Sequence, residues 1–328
     1  MYYPYLRGKQ FELLAMKEMI QDGTLKKCIH PVFEPIKDIH GGLFRVLHEF
    51  NQSAVDCTVI VNPQVGQLSD SLTETAQIVK FLSDREDGVG AVSIGLIVTP
   101  STDVKAILRI IQDRDGPSLP INIFHNGHND TLIPTLNQSS IIDRISNFVD
   151  SKDVLRQYRT QVYKYPEITQ TWHSTGTIKW RDPFPRQKRN IDYVSEPASL
   201  FSDDNIYYKE DGFQGFSDYQ TIGRYYAEGG GLPRAVVLHL TYQVMNNGPI
   251  YISHFSSDSN LDSSDTAGKF AEAVHKLLTF AQENRLSNPA IAKLKTYSDN
   301  GSFPGLGVLK KISIQNHIYV IQDAMDAI

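Results

Sequence analysis

Along the chain, short continuous apolar runs alternate with stretches in which apolar residues recur every three or four positions. Ile29-His30-Pro31-Val32-Phe33-Glu34-Pro35-Ile36, Cys57 to Pro63, Val92 to Pro100 and Ile121 to His125 are runs of the first kind. Continuous Val/Ile-rich runs suit parallel strands that are covered on both faces. Each is followed by a helical pattern: Leu43, Val46, Leu47 and Phe50, then Leu72 to Leu82, Val104 to Ile111, and Ile141 to Phe148. Leu13, Met16 and Ile20 share one helical face, which predicts an opening helix over Arg7 to Ile20.

The second half is less regular. A loop-rich insertion is expected around 153–231, with Gly176 to Asp182 as a strand inside it. Ala235 to Tyr242 and Ile250 to Phe255 read as strands. A helix from Lys269 follows, with Phe270, Val274, Leu277, Leu278 and Ala281 on one face. Val308 to Ile314 reads as a last strand, and Lys311 to Ile314 is expected to pair beside Ile29 to Ile36 and close the sheet on itself. Six to eight strands interleaved with helices predict a single α/β domain over 1–328, a (β/α)8 TIM-barrel-like fold. A doubly wound open sheet is the alternative.

Composition narrows the function. With 32 Lys plus Arg against 37 Asp plus Glu, the net charge of −5 excludes a chain-wide basic footprint, so any nucleic-acid contact must be local. No apolar run approaches a membrane span, the N-terminus lacks a signal-peptide pattern, and the two cysteines, Cys28 and Cys57, have no CxxC partner. A cytoplasmic, non-membrane protein is expected.

Phosphate-loop, zinc-helix and nucleophile-elbow motifs are absent, and Gly88-Val89-Gly90 lacks the third glycine of a dinucleotide turn. His125-Asn126-Gly127-His128-Asn129-Asp130 offers two imidazoles and a carboxylate to a divalent metal, against a plain polar loop. The broader signal is positional. Glu34, Asn62 with Gln64, His125, Asp182, His239 with Thr241, and His254 stand at or near the ends of buried runs, which in a barrel converge on one mouth. Glu34, Asp182, Asp218, His239 and His254 together would supply acceptors for a divalent cation or a water proton, plus a base titrating near neutrality. Lys179 to Arg189 carries Lys179, Arg181, Arg186, Lys188 and Arg189, enough positive charge for a phosphate, and Lys310 or Lys311 would add to it from a barrel rim. The glycine-aromatic block Gly212 to Tyr226 reads as a shaped loop or a contact surface anchored by Phe213 and Phe216.

The opening Met1-Tyr2-Tyr3-Pro4-Tyr5-Leu6-Arg7-Gly8-Lys9, the blocks Val61 to Gly66, Arg189 to Tyr193 and Gly215 to Gly223, and His239 to Tyr242, His254-Phe255 and Phe303 to Gly307 resemble a bacterial family. It is the sce-seven-seven-two-five family, which looks related to the phage-type beta protein family. The resemblance implies a cytoplasmic bacterial protein encoded beside a small restriction-endonuclease-like partner in a phage-defence setting, and no settled activity. Its motifs add weight to Asn62, Asp192, Asp218, Tyr219, His239 and His254. The expected function is a hydrolase acting on a nucleotide-like or phosphodiester substrate at the barrel mouth. Its catalytic set would be Glu34, Asp182, Asp218, His239 and His254, with Asn62, Gln64, Arg189, Asp192, Tyr219, Thr241 and Lys310 binding substrate. The alternative is a non-catalytic recognition or scaffold subunit that regulates the nuclease-like neighbour.

Overall fold

The computed structural model describes residues 1–37, 41–84, 92–113, 119–139, 144–174, 176–229 and 231–326. Gly88 to Gly90, Ile141 and Gly230 lie outside them. In chain order the elements are β1 (Tyr2–Leu6), α1 (Gln10–Gln21), β2 (Val32–Phe33), α2 (Gly42–Gln52), β3 (Cys57–Ile60), α3 (Leu72–Ser83), β4 (Val92–Val98), α4 (Val104–Asp113), β5 (Ile121–His125), α5 (Leu132–Asn137) and β6 (Ile145–Val149). There follow α6 (Lys152–Gln157), α7 (Arg159–Val162), α8 (Pro166–Ser174), β7 (Thr177–Trp180), β8 (Ala198–Ser202), α9 (Asp204–Tyr207), β9 (Gly215–Asp218), β10 (Val237–Gln243), β11 (Ile250–Ser256), α10 (Thr266–Glu283), α11 (Pro289–Asp299) and α12 (Leu306–Asp326).

The chain divides into two compact units. The first, Met1–Leu13, Ile20–Arg181 and Tyr208–Asp218, is a closed eight-stranded parallel barrel in the order β1-β2-β3-β4-β5-β6-β7-β9. It is a (β/α)8 barrel, and its strands differ from the expected set at three points. β1 precedes the expected opening helix. Ile145 to Val149 is a strand rather than the end of a helix, because the apolar positions that mimic helical spacing are buried on both strand faces. Closure is made by β9, which pairs β7 on one side and β1 on the other, with Tyr2 opposite Phe216. The expected partner of β2, Lys311 to Ile314, is instead part of α12.

Pleat parity sorts the barrel side chains, since neighbours along a strand point to opposite faces. Tyr5, Phe124, Phe148 and Trp180 touch one another across the lumen, with centroid distances of 5.7 Å for Tyr5–Phe124, 4.2 Å for Phe124–Phe148 and 5.2 Å for Phe124–Trp180. Below them Asn122 donates to Thr58 at 2.7 Å, and His30 shares the same hydroxyl at 2.9 Å. Gly95 faces inward too: a Cβ there would lie 2.4 Å from Ile60 Cδ1, so only glycine lets β3 and β4 fill this layer.

The second unit, Leu14–Met19, Asp182–Tyr207 and Tyr219–Ile328, contains a three-stranded antiparallel sheet in the order β10-β11-β8. Here the structure corrects the expectation for β10 and β11, which form this separate sheet and not barrel strands. Asn288 caps α11 by accepting from the Ala290 and Ile291 amides, and Pro289 occupies the first turn, where its missing N–H costs nothing. α12 corrects the expected last strand. Ile312, Ile314, Ile318 and Ile321 are all fully or nearly buried, so the segment is apolar around much of its circumference and carries little helical periodicity to read.

Candidate functional site

In the first unit, Glu34 lies at the C-terminal end of β2, 2% exposed. The Tyr5 hydroxyl donates to its Oε2 at 2.9 Å, the Gln64 amide donates to Oε1 at 2.8 Å, and Arg7 Nε stands 3.5 Å from Oε2. Gly66, with φ of 84°, is what lets the loop after β3 fold over β2: a Cβ there would meet the Ile36 carbonyl at 2.6 Å. Burial pushes the Glu34 carboxyl above the usual carboxylate range, opposed by the Gln64 N–H, Arg7 and Tyr5. Asn62 is spent on structure, donating to the Ile97 carbonyl at 2.7 Å and accepting from the Ile97 amide at 2.9 Å. The partners Tyr5 and Arg7 were missed at the sequence level, although the alternation Tyr3, Tyr5, Arg7 would have aligned them had β1 been read as a strand.

Asp218 does not share this site. It lies on the outer face of β9, buried, accepting from the Tyr2 hydroxyl at 2.6 Å. Tyr2 alternates with the lumen residues Tyr3 and Tyr5, and Asp218 is aligned with Pro4 on Tyr2's face. His125 is likewise turned outward from its neighbour Phe124. Its Nε2 meets Asn147 Oδ1 at 2.8 Å, its ring packs on Tyr158 and Trp172, and burial lowers its pKa to about 4. His128 pairs instead with Asp130 at 3.4 Å. Among the described residues no group of three or more His, Cys, Asp or Glu is arranged to hold a metal ion.

The remaining expected site residues belong to the second unit. Asp182 is a turn anchor, accepting from the Arg224 amide at 2.7 Å and the Phe184 amide at 3.2 Å. His239 and His254 are directly opposite on β10 and β11, with their Nδ1 atoms 2.7 Å apart. Burial, and for His239 the neighbouring His254, holds both imidazoles well below their ordinary pKa, so the pair is neutral at pH 7, one nitrogen donating to the other. Thr241 ties the sheet to α12: its carbonyl accepts from Asn316 Nδ2 at 2.9 Å and its hydroxyl meets His317 Nδ1 at 3.1 Å. Tyr219 is buried, and Arg189 and Asp192 form an exposed pair at 2.7 Å. Glu34 therefore faces the lumen and Asp218 the outer barrel face, so these two do not share a site within the first unit, and His239 belongs to the sheet of the second unit. Phe213 and Phe216, expected to anchor a contact surface, are 7% and 2% exposed and turned into the first unit.

What the second unit does bring together is a cavity of about 360 Å³. The 184–193 segment lines it with Phe184, Arg186, Lys188, Asn190 and Tyr193, and β10 contributes His239. The helices α10, α11 and α12 add Leu277, Ile291, Leu294, Leu309 and Ile312, together with Lys310. Among the described residues no acid lines it. Arg186 is held with its guanidinium 3.5 Å from the Tyr225 ring centre, and Phe184 and Tyr193 pack edge-on against His239 at 5.2 and 4.9 Å. Lys311, one residue on, is not available to this cavity's chemistry, because the Glu18 carboxylate holds its ammonium. Of the expected residues, His239 and Lys310 reach the cavity, joined by Arg186 and Lys188 from the basic segment. Asn190 and Tyr193 lie in the Arg189 to Tyr193 block without having been singled out, and the aliphatic wall carried no motif that could have marked it.

The fold and site thus define a (β/α)8 barrel protein whose second unit carries a cavity with three cations, aromatics and an aliphatic wall. Compared with protein-family models and with curated proteins, the chain matches none of either. No helix among the described residues is long and apolar enough to cross a membrane.

Proposed function

We propose that the protein is a recognition protein whose second unit binds a small anion carrying an apolar or aromatic body, of which a nucleotide-like molecule is the preferred case. One observation carries this: Arg186, Lys188 and Lys310 line a ligand-sized cavity, with no Asp or Glu among its described lining residues, beside Phe184, Tyr193 and an aliphatic wall. The neutral His239–His254 pair acts as a rigid polar floor and not as a base, because both imidazoles resist protonation. From the family resemblance we infer the setting as well: a bacterial cytoplasm, phage defence, and a restriction-endonuclease-like partner whose activity the bound ligand regulates. Titration calorimetry with nucleoside mono- and diphosphates, inorganic phosphate and a medium-chain fatty acid tests the ligand class. A nucleotide should bind more tightly than phosphate, and Lys188→Ala and Lys310→Ala should each weaken it about tenfold, the cost of one charge-assisted hydrogen bond. If the folded protein binds no member of the panel, the proposal fails; if the fatty acid alone binds, the nucleotide preference is wrong.

A hydrolase at the barrel mouth is the second reading. It is favoured by Glu34, a lumen carboxyl with a raised pKa beside Arg7 at the strand ends where barrel enzymes keep their catalytic groups. Turnover of a chromogenic phosphodiester that survives in folded Glu34→Gln would remove it.

A further inference from the structure

The geometry points to a second, independent site on the barrel unit that binds single-stranded nucleic acid, along α6 and α7. Lys152 and Arg156 stand on α6, Arg159 opens α7 and Tyr163 follows its last residue. All four line a cavity of about 480 Å³ that also takes in Trp172 and Gln214. Among the described residues no acid lines it.

The cations are disposed to meet an outside anion. Among the described residues neither Lys152 nor Arg159 is paired with a carboxylate; their charges lie over the rings of Phe213 at 5.1 Å and Tyr163 at 5.7 Å. Arg156 spends one N–H on Asp153, at 2.9 Å, in a pair that is largely exposed on both sides and so contributes little. Gly212 makes room for Lys152: with φ of 75°, it carries no Cβ, and a Cβ would lie 2.4 Å from the ammonium nitrogen. Like charges around one cavity repel each other, a cost that a polyanion removes on binding.

The aromatic content decides the class of polyanion. Tyr163 is 57% exposed, and Trp172 stands in the same cavity. Rings next to cations along a groove are how unpaired bases are stacked while their phosphates are neutralised. Three cations and a ring spread over α6, α7 and the residue after them suit a strand with several phosphates better than a single nucleotide. A phosphorylated peptide would use the cations and have no base to stack on the exposed Tyr163 ring. The site does not depend on the ligand of the second unit, and the local charge it uses is compatible with a net charge of −5.

Fluorescence anisotropy of the full chain with a labelled 12-mer oligo(dT) tests it. Neutralising about three phosphates on a single strand predicts that affinity falls about 20-fold between 50 and 200 mM salt. Lys152→Ala and Arg159→Ala should each reduce the salt slope by about 0.7, whereas Tyr163→Ala should weaken binding about tenfold and leave the slope unchanged. Tyr163→Phe should restore the stacking and hence the affinity. Lys188→Ala, in the cavity of the second unit, should bind the oligonucleotide like wild type. No binding at 50 mM salt would overturn the proposal, as would unchanged affinity in a folded Arg156→Ala/Arg159→Ala double variant, tighter binding of a phosphopeptide, or indifference to Tyr163→Ala.

Discussion

His125 makes the barrel acid-sensitive in a calculable way. It is 3% exposed on the outer face of β5, bonded through Nε2 to Asn147, and burial lowers its pKa to about 4, against about 6.5 in an unfolded chain. Between those values the unfolded state binds a proton that the folded state refuses. Stability therefore falls as pH drops through 6.5 and stops falling, for this residue, below about 4. A gap of about 2.5 pH units at 1.36 kcal/mol each gives about 3 kcal/mol over the window, a large share of a domain's stability. His125→Gln keeps an amide for Asn147 and cannot titrate. The measurement is urea unfolding of both proteins from pH 7.5 to 4, followed by tryptophan fluorescence. Both tryptophans, Trp172 and Trp180, belong to the barrel unit, so the signal reports that unit. Wild type should be the more stable at pH 7.5, and its advantage should shrink by about 3 kcal/mol as pH falls to 4. Parallel pH curves for the two proteins would refute the reasoning, since they would mean that His125 protonates equally well folded and unfolded.

The same fluorescence readout serves two further predictions. Tyr2→Phe removes the 2.6 Å hydrogen bond to the buried Asp218 carboxylate and should cost about 1.5–3 kcal/mol, the range for a bond to a charged group, without affecting ligand binding; an unchanged urea midpoint would show that Asp218 is satisfied otherwise. Gly95→Ala drives a methyl to 2.4 Å from Ile60 Cδ1 and should cost about 1–3 kcal/mol, much of it recovered by adding Ile60→Val, which removes the struck methyl; additive effects of the two changes would contradict that contact.

What the sequence determined on its own is the local grammar. The Val/Ile runs of β3, β4 and β5 are legible because parallel strands buried on both faces need no polar alternation, and the helices after them show their apolar stripe directly. That rhythm suffices for the fold class. The location of Arg186, Lys188 and Lys310 as cations of interest was legible too, because charge is a property of the residue wherever the chain goes. Closure was decided by tertiary structure: β1 and β9 bring Tyr2 beside Phe216 across most of the chain, and no local pattern encodes a pairing so distant. α12 was invisible as a helix because its burial on several sides erases the stripe that periodicity needs. Glu34, in a buried run, and Asp218, in the glycine-aromatic block, both enter the expected catalytic set. Which of them enters the lumen depends on pleat parity within a closed barrel, and parity shifts with every residue of register. The cavity of the second unit is assembled from six separate stretches of chain, so its aliphatic wall and its cations become a site only once the sheet and three helices have packed together.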